Sequence, residues 1–173
     1  NAGNIIMSTG KSQLLASGSV KIEAGAASAG TGGHIKFATG SSDLLASGSI
    51  QIASNAGQAS GAVSLASSDA NDVSGTISLR TGASSAGQSG SILVEAGKGL
   101  VGGNIDMRAG SSSLSLGGGI AITSGSGEIS GNIALTSAQS ISGSGSILVS
   151  SGESQGQSGS TRILAGASQS GTG

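Results

Sequence analysis

The stretch GSGSILVSSG, residues 143–152, decides how the whole chain is interpreted. Its glycines and serines are typical of a flexible linker, whereas its Ile-Leu-Val centre is typical of a buried strand. Aligned on Gly145, the pattern GSILVSSG recurs along the sequence, for example as GSVKIEAG from Gly18 and GSILVEAG from Gly90. A linker has no reason to repeat an apolar pattern in frame, so the sequence predicts a repeated structure.

Twelve copies of this pattern follow one another, each with the form G-x-φ-x-φ-x-[T/A/S]-G, where φ is apolar. Successive copies begin 13 to 15 residues apart and are joined by links of five to seven mostly small or polar residues. The closing residue is usually Gly, and Asn55 is an expected substitute because Asn tolerates positive φ. The opening glycines are predicted to mark corners: Gly3, Gly18, Gly33, Gly48, Gly61, Gly75, Gly90, Gly103, Gly118, Gly131, Gly145 and Gly159.

The alternation within each copy has a period of two, which predicts a strand with its apolar residues on one side. The third inward position is always Thr, Ala or Ser, as a narrowing corner would require. Thr161 is the one polar residue at the first inward position. The predicted core residues at this position are Ile5, Val20, Ile35, Ile50, Val63, Ile77, Ile92, Ile105, Ile120, Ile133 and Ile147. At the second inward position they are Met7, Ile22, Phe37, Ile52, Leu65, Leu79, Val94, Met107, Ile122, Leu135, Val149 and Ile163.

A single copy cannot bury its apolar pair alone, because two buried aliphatic side chains contribute roughly 3–6 kcal/mol and backbone ordering costs about 1–2 kcal/mol per residue. Every copy also runs in the same direction, and the sequence lacks the Asn-Gly and Asp-Gly turns of tight hairpins. We therefore predict an all-β fold: a parallel β-solenoid (β-helix) of about 12 strand repeats of 13–15 residues. One repeat per coil is favoured, which places Glu95 between Arg80 and Arg108, and two repeats per coil of 26–30 residues are the alternative.

Composition and frame limit the further possibilities. The pattern covers residues 1–173 without interruption, which predicts one continuous array, either a segment of a longer repeat or a unit that stacks end to end. A formal net charge of −1 argues against a nucleic-acid partner, and the sequence has no apolar run long enough for a membrane span. The absence of Cys excludes disulfides and thiolate metal sites.

No motif in the sequence supports an enzyme. TGKS at 9–12 lacks the first glycine of a P-loop, and GESQG at 152–156 has no later His because His34 is the only one. The aspartates do not recur in frame, as a repeated calcium site would require. We therefore expect no catalytic residue, no cofactor and no metal.

Some apolar residues occupy positions that point away from the predicted core. Scattered exposed leucines are normal on a protein surface, but on a repeated rod they would also suit lateral contact with a second rod. The expected lateral contacts are Ile6, Leu93, Leu148 and Leu164. Thr123 and Thr136 stand in the same outward column of neighbouring copies and would serve a surface-binding role instead.

The copies GTGGHIKFATG (30–40) and GSGSILVSSG (143–152) resemble the Gly/Ser-rich parallel β-solenoid repeats of large secreted fibres. Filamentous adhesins are one such group, and low-complexity repeat proteins of algae such as diatoms are closer in pattern. The resemblance implies an extracellular or cell-surface location and a structural role. The sequence thus predicts a fibre or stalk segment that assembles with itself, end to end and laterally. A solenoid that binds ice, mineral or polysaccharide is the alternative.

Overall fold

Bends punctuate the chain once in every link and occur nowhere else among the residues that the structure describes. The computed structural model describes residues 3–14 and 16–167. The eight-residue segments that run from an opening glycine to a closing residue contain no bend, so the structure follows the same frame as the sequence. The bends fall at residues 13–14, 28–30, 43–45, 57–59, 71–72, 85–87, 99–101, 113–115, 127–129, 141–142 and 155–156.

Neither helix nor strand occurs in residues 3–14 and 16–167, so the predicted all-β fold is wrong. There is no parallel β-solenoid or β-helix, with one repeat per coil or with two. These residues are largely coil, and none of them has a buried side chain. Only Ala96 and Ser124 are half-buried.

Each link closes at a neck, where the opening glycine of the next copy lies against the end of the preceding segment. A Cβ placed on Gly33 would lie 3.0 Å from the Ala24 Cβ and 3.2 Å from the Gly25 nitrogen. The Gly33 N–H also donates a hydrogen bond of 2.9 Å to the Gly25 carbonyl oxygen. All eleven later copies make the same contact with the Thr, Ala or Ser of the third inward position, at 3.0–4.0 Å from that Cβ.

The neck explains why the copies do not stack. In a coil of one repeat, Gly33 would lie one rung above Gly18, at the start of the preceding segment. It lies instead beside Ala24 and Gly25, up to about 23 Å further along an extended chain. A coil of two repeats would bring together residues 26–30 apart, whereas nearly all close Cα approaches join residues fewer than twelve apart.

The length of a link governs how tightly its neck closes. In the links of seven residues, the opening glycine would place a Cβ 3.0–3.4 Å from the preceding third-position Cβ. In the links of six residues, this distance is 3.6–3.9 Å. Backbone hydrogen bonds of 2.8–3.2 Å close five necks, at Gly33, Gly48, Gly103, Gly118 and Gly131, and their links have five or seven residues.

The opening glycines are needed for space and not for backbone freedom. No described residue, glycine or other, has a positive φ, so the expectation that Asn55 substitutes for a glycine in the left-handed region is wrong. At the closing glycines an added Cβ would meet nothing within 4 Å. Crowding therefore falls on the opening glycine, which approaches the end of the previous segment more closely than a side chain allows.

Replacing Gly33 with Ala is expected to open its neck. The added Cβ would lie 3.0 Å from the Ala24 Cβ, so the chain must move apart and weaken the bond from the residue-33 N–H to Gly25. A hydrogen bond of this kind contributes about 0.5–1.5 kcal/mol. We expect the nuclear Overhauser contact between Ala24 and residue 33 to disappear. Gly25→Ala is the matched control, since its Cβ would meet open space, and an unchanged contact in Gly33→Ala would contradict the crowding argument.

The chain divides into two units, Asn1–Ser91 and Ile92–Gly173. The first unit holds the necks at Gly18, Gly33, Gly48, Gly61, Gly75 and Gly90, and the second those at Gly103, Gly118, Gly131, Gly145 and Gly159. The single continuous array over residues 1–173 stays a prediction.

Candidate functional site: a repeated aliphatic surface

The segments expose both of their predicted inward columns. At the first inward position, the aliphatic residues of copies two to eleven are 47–60% exposed, and Ile5 of the first copy is 92% exposed. At the second inward position exposure is higher, from 53% at Ile22 to 92% at Ile163. Taken alone, the chain therefore leaves its largest aliphatic columns in solvent, and the alternation survives only as a difference in the degree of exposure.

The outward positions expose their aliphatic residues still more fully. Ile6, Leu93, Leu148 and Leu164, which the sequence predicts as lateral contacts, are 76–85% exposed. The structure brings no other part of the described chain over them, and their role in lateral contact stays a prediction. They add to an aliphatic surface that is present on more than one side of a segment.

The links carry the most exposed aliphatic residues, and sequence reasoning overlooked them. It treated the links as small and polar, although a signal was present in the Leu-Leu pair of SSDLLASG at 41–48. Each of these residues lies in a bend or within two residues of one, and exposes more than four-fifths of its surface. They are Leu14, Leu44, Leu45, Val73, Leu100, Val101, Leu114, Leu116, Ile129 and Ile141.

Serine hydroxyls shape several of these bends. Ser42 Oγ accepts a hydrogen bond of 3.0 Å from the Leu45 N–H, and Ser112 Oγ accepts one of 3.0 Å from the Ser115 N–H. Ser84 Oγ accepts from the Gly87 N–H at 3.0 Å in the same way. A serine side chain that accepts from a backbone N–H two or three residues later makes a compact turn. In the link after the third copy, this turn includes Leu44 and Leu45.

Charged side chains are few and pair within their own segments. Lys21 Nζ lies 2.7 Å from Glu23 Oε1, and Arg108 Nη2 lies 3.6 Å from Asp106 Oδ2. Residues two apart lie on the same side of an extended chain, which explains both pairs. The predicted stacking of Glu95 between Arg80 and Arg108 is wrong, because neighbouring segments are not stacked and Arg108 pairs with Asp106 instead.

The enzyme-like motifs of the sequence belong to necks and bends. Thr9 of TGKS donates a hydrogen bond of 3.0 Å from Oγ1 to the Gly18 carbonyl oxygen, which ties the first neck. Ser154 of GESQG accepts a hydrogen bond of 3.1 Å from the Gly156 N–H within its link. His34 is an exposed residue of the third copy. These contacts give Thr9 and Ser154 structural roles at the turns.

Other kinds of site find little support in the structure. One open recess is lined by Ser78, Arg80, Thr81, Gly82 and Ala83, which include no general acid or base besides the Arg80 guanidinium. In residues 3–14 and 16–167, no three His, Asp or Glu side chains lie close enough together to hold a metal ion. The same residues contain no helix that is long and apolar enough to cross a membrane.

The comparisons with known proteins identify no relative. No protein-family model matches this chain, and no curated protein and no solved structure is similar to it. The function is therefore argued from the exposed aliphatic surface alone.

Proposed function

We propose that this chain is a structural repeat segment that acts by associating with further copies of itself into a fibre or stalk. The observation that carries the proposal is the exposure of its aliphatic residues. The chain exposes 17874 Å². A folded monomer of 16.0 kDa would expose about 7,400 Å², and its unfolded chain about 23,000 Å².

The surface that stays exposed is large compared with what association requires. The excess over a globular monomer of this mass is about 10,000 Å², whereas a standard interface buries about 800 Å² on each partner. Contiguous apolar surface of more than a few hundred Å² on a soluble protein marks an interaction site. Association would thus bury the aliphatic columns that no part of the described chain covers.

The charge pattern favours a second copy of the chain as the partner. A formal net charge of −1 sets up little repulsion between copies. The twelve-copy repeat lets two chains match the same period many times over, so weak contacts at each copy reinforce one another. The proposed location, outside the cell or at its surface, rests on the resemblance to secreted fibre repeats.

Sedimentation velocity over a series of concentrations tests the proposal. We expect monomers at low concentration and large assemblies at high concentration, with sulfate lowering the concentration at which association begins. Sulfate strengthens apolar burial, whereas sodium chloride at moderate concentration would act mainly on charges, which are few here. Electron microscopy of the assembled fraction should show filaments. A chain that stays monomeric at every concentration, with sulfate present, would exclude this function.

A further inference from the structure

Two kinds of link alternate in the first unit of the chain. The links at 11–17, 41–47 and 69–74 carry exposed aliphatic residues in or near their bends, which we call the link tips: Leu14, Leu44, Leu45 and Val73. The links at 26–32, 56–60 and 83–89 contain only Ala, Ser, Gly, Thr and Gln, and we call them the small links. Tips and small links therefore alternate along the chain through six consecutive links.

The two kinds of link are complementary in size. The link tips place branched aliphatic side chains at bends that are open to solvent. The bends of the small links contain Ala29, Ala59 and Ala86 beside glycines, so no bulky side chain fills the space around them. An aliphatic side chain that packs against Ala and Gly approaches the backbone closely, which a bulkier partner would prevent.

The two kinds of link also recur at similar intervals. From Leu14 to Leu44 is 30 residues and from Leu44 to Val73 is 29. From Ala29 to Ala59 is 30 residues and from Ala59 to Ala86 is 27. Because the intervals are similar, several tips of one chain can meet several small links of another at once. Simultaneous contacts of this kind raise the overall affinity well above that of any single contact.

The charges beside the tips favour a protein partner over an anionic lipid surface. The tip links carry Lys11, Asp43, Asp69 and Asp72, an excess of two negative charges that an anionic surface would repel. The small links carry no charge, so nothing in them opposes the approach of either sign.

We propose that the link tips of one chain pack against the small links of a second copy. This inference rests on the proposed self-association and names the residues that contact each other in it. The tips act as aliphatic anchors, and the small links act as the recesses that accept them. Each chain presents both surfaces, so the contact is head-to-tail and can continue from chain to chain.

Three variants of the full chain test the inference by sedimentation. The first, L44S/L45S/V73S, removes three anchors. The second, A29L/A59L/A86L, fills the small links. The third, A38L/A53L/A66L, is the matched control, because it adds the same three leucines at exposed outward positions of the segments. Every replaced residue is exposed, so none of these changes removes a buried contact from the monomer.

We expect the first two variants to need at least about tenfold higher concentration for half-association, and the control to associate at least as readily as the unmodified chain. The second variant is the more discriminating, because added leucines promote association when contact is unspecific. An unchanged midpoint in the first variant, or stronger association in the second, would overturn the inference and leave the proposed function intact. Failure of the unmodified chain to associate at all would overturn both.

Phosphatidylserine-containing vesicles provide the last arm of the test. We expect the unmodified chain and L44S/L45S/V73S to sediment equally poorly with them. Vesicle binding that depends on the tips would make a lipid surface their partner and would overturn the inference.

Discussion

A dilute solution of this chain is expected to show no cooperative unfolding on heating, whereas an associated solution is expected to show a clear transition. An ordinary domain of this length unfolds with an enthalpy of about 120 kcal/mol near 60 °C and a heat-capacity change of about 2 kcal/mol/K. These quantities come largely from a shared core that is exposed on unfolding. The chain buries only about a third of the surface that a globular monomer of its mass buries, and has no buried side chain among its described residues.

Differential scanning calorimetry at several concentrations measures this difference. Below the association range, we expect a heat-capacity change under about 0.8 kcal/mol/K per chain and no peak, in proportion to the buried surface. Above it, a peak should appear whose midpoint rises with concentration, because association stabilises only the associated state. A sharp, concentration-independent transition in the dilute chain would show a monomeric core and contradict the structure.

Three aspartates at the first inward position are expected to abolish association while leaving the monomer unchanged. In I92D/I105D/I133D, each replaced isoleucine is 50–52% exposed in the single chain, so the monomer loses little. In an assembly that buries the remaining surface, each change removes about 1 kcal/mol of apolar burial and adds the desolvation of a charge. The three changes together should raise the midpoint of association at least about a hundredfold.

The control for this variant is S91D/N104D/N132D. It places the same three charges one residue earlier in each copy, at exposed positions on the other side of the segment. Because both variants have the same net charge, a general electrostatic effect would weaken both equally. We expect the control to associate within about threefold of the unmodified chain, and equal loss in both variants would contradict a role for the inward column.

Much of the local structure could be predicted from the sequence. The frame that begins at each opening glycine separates segments without bends from links with one bend each, as the repeat indicates. The restriction of the third inward position to Thr, Ala or Ser also has its counterpart at the neck, where Ala24 receives Gly33 at 3.0 Å. Such contacts are local in sequence, so the composition of a single copy and its link is enough to predict them.

The path of the chain after each neck could not be predicted in the same way. The alternation around Ile35 or Ile147 suits stacked strands, but the same alternation arises in an extended segment that has no neighbour. The exposed tips Leu44 and Leu45 were also overlooked, because a search for periodicity within the segments gives no weight to the links. The enzyme-like motifs were discounted correctly on spacing, but only the contacts of Thr9 and Ser154 showed their roles at a neck and in a bend.

The sequence by itself determined the twelve-copy frame, the place of every link and the need for a glycine at the start of each copy. These features depend on chain geometry over fewer than ten residues, where side-chain size and backbone sterics are decisive. Only the tertiary structure decided that consecutive segments meet end to start and do not stack. A neck such as that between Gly25 and Gly33 brings the chain back to the end of the segment it has just left, so the aliphatic columns find no neighbour within the described chain and remain exposed.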